Sequence, residues 1–166
     1  MMMMVAAVAI VLGMSACSND DDKETALATQ VEGYYDGNEV IMVMGEESSN
    51  VYTTYKVVKA SDISVDITIP QSGEMGMVIP PLPVNNITLT KENNMITGKL
   101  ASFSGTVKDS KGADKAYTVS DMVALFKDNT AVFTFSVKYG NMPFAMSTTF
   151  TGIKVEPATA QAGNKE

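Results

Sequence analysis

Cys17 is the one thiol in a chain of 166 residues, and the sequence changes character across it. An apolar run from Met1 to Ala16 leads up to it, and the acidic run Ser18-Asn19-Asp20-Asp21-Asp22-Lys23-Glu24 follows. A lone cysteine has no disulfide partner, so the chemistry its position suggests is lipidation of the thiol. The other groups able to do chemistry are the strand-borne acids Asp36, Glu39, Asp62 and Asp66. Two carboxylates are the minimum set for glycoside hydrolysis. Asp62 and Asp66, however, share the polar face of a strand whose other face is apolar, and they are expected to point to solvent. Acyl transfer from Ser or Thr needs a base, and the chain contains no His. No catalytic residue is assigned, and the protein is read as a non-enzyme. With Cys17 modified, no Cys or His remains for a zinc or copper site, and Asp20 to Asp22 lack the fixed loop that calcium requires, so neither metal nor cofactor is expected.

The apolar run is shorter than the roughly 20 residues a membrane-spanning helix needs, but it suits the core of a signal peptide. Met14-Ser15-Ala16-Cys17 resembles the bacterial lipobox, an aliphatic residue and two small ones before Cys. The resemblance implies that the thiol receives a diacylglyceryl group and that cleavage leaves a mature chain beginning at lipidated Cys17. The alternative is an ordinary secretory signal with an incidental cysteine. Residues 1 to 16 carry no Lys or Arg where a charged n-region is expected, which points to a start upstream of Met1. The acids after Cys17 resemble the export signal of Bacteroidota lipoproteins, which implies the outer face of the outer membrane. Composition itself gives an extended, solvated spacer. The expected divisions are residues 1–16 as signal peptide, 17–30 as lipidated acidic tether, 31–155 as the folded domain and 156–166 as a flexible tail.

About 150 mature residues make one domain with one core. The net charge is −7, with 19 acidic residues against 12 basic ones, all of them Lys. A chain without Arg lacks the planar fork that clamps phosphate, and an acidic one lacks the basic face nucleic acid needs. Neither nucleic acid nor anionic lipid headgroups is therefore expected as a partner.

From Val31 to Val155 short alternating stretches are broken by turn signals, and none carries a helical stripe, so the fold class is all-β. Ile63 to Ile69 alternates β-branched apolar residues with polar ones. Thr130 to Lys138 sets Ala131, Phe133, Phe135 and Val137 on one side, and Phe144 to Thr151 sets Phe144, Met146 and Phe150 on one side. Further strands are expected near residues 31–44, 49–59, 84–91, 95–107 and 116–127, which makes eight. Lys91-Glu92-Asn93-Asn94, Asp109-Ser110-Lys111-Gly112, Lys127-Asp128-Asn129 and Tyr139-Gly140-Asn141 read as hairpin turns. Eight strands joined in sequence form an up-and-down antiparallel sheet that hides its edges by closing into a β-barrel, with the two-sheet β-sandwich as the alternative. Gly33, Gly37, Gly98, Gly105 and Gly152 fall in or beside strands, where they permit barrel bends or mark plain turns and bulges.

Val31-Glu32-Gly33-Tyr34-Tyr35-Asp36-Gly37 looks like the opening of the calycin-like barrel domains of Bacteroidota lipoproteins, distant analogues of the lipocalins. Leu82-Pro83-Val84-Asn85-Asn86-Ile87 and the stretch from Met142 to Gly152 are similar to the same domains, so the resemblance covers nearly all of residues 31–155. It implies that Tyr35 takes the place of the lipocalin Trp that plugs one barrel end. It implies a fold and leaves the activity open.

Two features are candidates for binding. The first is the expected inward set, Ile63, Val65, Ile67, Phe133, Phe135, Phe144, Met146 and Phe150, joined by Tyr35. An eight-stranded barrel is wide enough either to be filled by such side chains or to hold one small ligand, and both remain open. The second is the connection from Pro70 to Pro83, whose Met75, Met77, Val78, Ile79 and Leu82 either cover a barrel mouth, meet a partner or pack internally. The expected function is that of a non-catalytic cell-surface lipoprotein held by its N-terminal lipid, binding a small hydrophobic ligand, a glycan or a protein. The alternative is a structural subunit of an outer-membrane assembly with no small ligand.

Overall fold

The computed structural model describes residues 24–73 and 77–157. Eight antiparallel strands follow one another around a closed barrel: β1 Gly33–Val43, β2 Glu46–Ser61, β3 Ser64–Ile69, β4 Leu82–Glu92, β5 Met95–Lys108, β6 Asp114–Lys127, β7 Thr130–Tyr139 and β8 Met146–Val155. Closure is made by β1 against β8 in an unbroken register from Tyr34↔Val155 to Val43↔Met146. No strand edge is left for a second sheet, so the sandwich alternative is excluded.

Local chemistry explains the meander. Asn93-Asn94 and Asp128-Asn129 both take positive φ, 49° and 63° in the first and 49° and 65° in the second, as tight hairpin turns matched to strand twist require. Asp109 holds the β5–β6 turn by accepting at Oδ1 from the backbone N–H groups of Lys111 and Ala113, both at 2.9 Å. The seam depends on two glycines. Gly37 faces Gly152 across β1 and β8, and a Cβ on Gly37 would sit 2.0 Å from the Thr151 carbonyl oxygen. One on Gly152 would sit 2.4 Å from the Phe150 ring. The backbones approach there because neither residue carries a side chain.

Alternation puts apolar side chains inside and polar ones outside. On β7, Ala131, Phe133, Phe135, Val137 and Tyr139 are buried, and on β8 Thr148 and Phe150 are buried while Ser147, Thr149 and Thr151 are exposed. A membrane-spanning barrel has the opposite polarity, with an apolar band outward and a polar lumen. On β7 and β8 this barrel turns its polar side chains outward.

Several expectations are corrected. The segment assigned to the tether through Gln30 ends earlier, because Leu27–Val31 forms a short helix, α1, with Ala28 and Val31 buried in the core. Tyr35 Oη donates to the Val31 carbonyl at 2.8 Å, and Ala28 N–H to the Asp62 carbonyl at 3.1 Å, so the helix closes the end of the barrel where β1 begins. Ile63 is 57% exposed: it occupies the β2–β3 turn, where the chain has left the alternation. Phe144 is 49% exposed for the same reason, lying in the β7–β8 connection before β8 starts. Cys17, the signal-peptide and acidic-run assignments, Met75 and most of the C-terminal tail lie outside the described residues.

Candidate functional site

The two halves of the barrel differ. Near α1 the lumen is filled by aromatic rings: Phe133 packs on Tyr55 at 5.2 Å between centroids, on Phe126 at 5.5 Å and on Phe150 at 5.4 Å. Tyr35 meets Phe126 at 5.7 Å. Tyr35 occupies the end of the barrel that α1 closes and is part of the packing there. Phe133, Phe135 and Phe150 are also packed, at 0%, 4% and 0% exposure, and they are not among the residues that line the mouth cavity.

The opposite end is open. It gathers the β1–β2, β3–β4, β5–β6 and β7–β8 connections and contains a cavity of about 780 Å³. Its walls include Ile41 and Val43 of β1, Ser49 and Val51 of β2 and Met146 of β8. Val51 shares the inward face of β2 with Tyr55, yet it is 45% exposed, because it borders the cavity. From the β3–β4 connection, Gln71, Ser72, Gly73, Met77 and Ile79 line this mouth; Ser72 and Ile79 exchange backbone hydrogen bonds at 3.1 and 2.8 Å, and Gly73 takes φ 93°. Ile79 is buried, Met77 lines the cavity while 57% exposed, and Met142 joins them from the β7–β8 connection. Of the expected ligand-binding residues, the structure brings Met77 and Met146 together at the mouth.

At the boundary between the halves stands Glu39, 1% exposed. It pairs across strands with Val51 on one side and Phe150 on the other. Tyr55 Oη donates to its Oε2. Burial pushes the Glu39 carboxyl above its ordinary value, against the opposing pull of the Tyr55 hydrogen bond. Burial, and then the neighbouring Glu39 charge, hold the Tyr55 phenol well above its ordinary value, so it remains a donor. Sequence reasoning recognised Glu39 as a strand-borne acid but did not place it inside. The available signal was parity, since Glu39 alternates in phase with Tyr35 and Ile41. Asp62 and Asp66 are outside, as expected: Asp62 pairs with Lys59 at 2.8 Å, and Asp66 accepts from the Asn86 N–H at 2.8 Å. Asp36 is on the outer face of β1 and accepts from Thr54 Oγ1 at 2.6 Å. These acids do not converge on a site. Among the described residues no cluster of His, Cys, Asp and Glu could hold a metal ion.

A closed eight-stranded meander, plugged at one end and hollow at the other, defines a calycin-like barrel. The family model of the calycin-like beta-barrel domain matches residues 31–153, and the chain belongs to that family. Among solved structures it is similar to a crystal structure of a Bacteroides fragilis protein provisionally named as an outer membrane protein. The TM-score is 0.61 at 18% identity, over 78% of this chain and 53% of that one. The chain therefore spans about half the length of that protein, and at this identity the likeness is one of fold. The curated proteins include none that matches this sequence.

Proposed function

We propose that this protein is a lipid-anchored, non-catalytic lipoprotein of the outer membrane, exposed at the cell surface, whose barrel holds a small apolar molecule in its mouth. The observation that carries the binding reading is the cavity of about 780 Å³ walled by Ile41, Val43, Val51 and Met146. Its size lies within the range of ordinary small-molecule sites, about 300–1,000 Å³. Met77, Met142 and Met146 suit such a site, because unbranched thioether side chains adapt to ligands of differing shape. The envelope reading is supported by Cys17 and its context, by the polar exterior that suits an anchored domain over a spanning one, and by the fold shared with the Bacteroides fragilis protein.

The test is uptake of a neutral, environment-sensitive fluorescent probe, compared between the native chain and Val51→Trp. A Trp at that inward, half-open position fills the mouth and leaves the aromatic half alone. Bright, saturable emission that Val51→Trp abolishes is expected. No emission, or emission indifferent to the substitution, overturns the reading.

A further inference from the structure

Glu39 is the one charged side chain in the core among the described residues. Its Oε2 is engaged by Tyr55, and the described residues provide no donor to Oε1. A carboxylate withdrawn from water is costly unless a counter-charge and hydrogen bonds compensate it. The barrel supplies one hydroxyl and no cation: none of the residues lining the mouth cavity is basic. Cross-strand partners on one face stand about 4.5–5.5 Å apart at Cβ. Glu39 is not itself a wall residue, but it lies one such step from Val51 and two residues along the inward face of β1 from Ile41, both of which are.

We propose that Glu39 is the head-group receptor of the mouth cavity and that the ligand is a cationic amphiphile, an apolar body with one protonated amine. This rests on the cavity reading above and names the chemistry of its occupant. The apolar body lies against Ile41, Val51 and Met146, and the amine donates to Glu39 Oε1 while Tyr55 keeps Oε2. A purely apolar ligand leaves the carboxylate uncompensated. A carboxylate-headed ligand places two like charges together in a low-dielectric site. The chain's net charge of −7, with Glu46 and Glu47 exposed where β2 begins at the mouth, favours approach of a cation.

The experiment is displacement of the neutral probe by dodecylamine, dodecanol and dodecanoate, below their micellar concentrations, from the native protein and from Glu39→Gln. The amine is expected to displace the probe at about tenfold lower concentration than the alcohol, as a charge-assisted hydrogen bond in a buried site allows. Dodecanoate is expected to be the weakest. In Glu39→Gln the ratio of amine to alcohol displacement collapses to about twofold or less, because the amide carries no charge for the amine to pair with. If probe and dodecanol bind but the amine has no advantage, or keeps it in Glu39→Gln, the head-group assignment is wrong and the cavity reading stands. If neither binds, the cavity reading fails and takes the assignment with it. Should Glu39→Gln not fold, the amine-to-alcohol ratio in the native protein decides the matter.

Discussion

Tyr55 donates a hydrogen bond to Glu39 across the β1–β2 pair, from the aromatic half of the barrel to the base of its mouth. The Tyr55 ring lies 4.3 Å from that of Phe150 and 5.2 Å from that of Phe133, so packing fixes the phenol before it meets the carboxylate. The pair marks where filling stops and the hollow begins.

This pair makes stability depend on pH. The folded-state pKa of Glu39 is raised above its ordinary 4.5, so the folded protein holds that proton more tightly than the unfolded chain. Its contribution is fully present below about pH 4.5 and is lost as pH rises through the folded value. Urea denaturation from about pH 4 to about pH 8 is expected to show the native protein losing stability relative to Glu39→Gln as pH rises. Parallel curves for the two proteins would contradict the raised value.

Tyr55→Phe keeps the ring and removes the donor. It is expected to cost about 1–3 kcal/mol, the penalty for a buried acceptor left unsatisfied, and to cost more at high pH, where Glu39 is ionised. A loss independent of pH would assign Tyr55 to packing alone.

Two apolar truncations separate the halves. Phe133→Ala removes a ring that touches four other aromatic rings and is 0% exposed, at an expected cost of about 3–5 kcal/mol. Met146→Ala, at the open mouth, is expected to cost below about 1.5 kcal/mol and to weaken probe uptake. Equal losses in chemical denaturation would mean that the mouth is as tightly packed as the base.

Gly152→Ala tests the seam. Its Cβ would meet the Phe150 ring at 2.4 Å and the Asp36 carbonyl oxygen at 2.8 Å. Loss of several kcal/mol is expected, since backbone cannot yield as a side chain does. Amide exchange is expected to quicken in β1 and β8 ahead of β5 and β6. A neutral Gly152→Ala would show that the strands separate more readily than their register suggests.

Cys17→Ser tests the anchor. The variant is expected in the soluble fraction, with the native protein retained on membranes and its N-terminal mass increased by lipid, because stable attachment takes more than one acyl chain. Membrane retention of Cys17→Ser, with no lipid on the native N-terminus, would reject lipidation.

The strand plan was legible because a strand's side chains alternate with a period of two, and a run such as Thr130 to Tyr139 states its own faces. The turns were legible at Asn93-Asn94 and Asp128-Asn129 because few residue types accept positive φ. Ile63 and Phe144 misled because parity continues through a sequence after the chain itself has turned out of the strand. Helix α1 was illegible because five residues are too few to display a helical period, and its stability comes from burying Ala28 and Val31 against the barrel end.

By itself, then, the sequence determined the all-β class, the eight-strand order and the apolar inward face, all of which follow from neighbours along the chain. Only the tertiary structure decided how far the lumen is filled, because that depends on side chains meeting across the barrel from strands distant in sequence. Glu39 shows the difference most clearly. Its parity with Tyr35 and Ile41 turns it inward, but its burial comes from the Phe150 and Tyr55 rings packed beside it. Its place beside the cavity comes from its cross-strand partner Val51, a half-exposed wall residue.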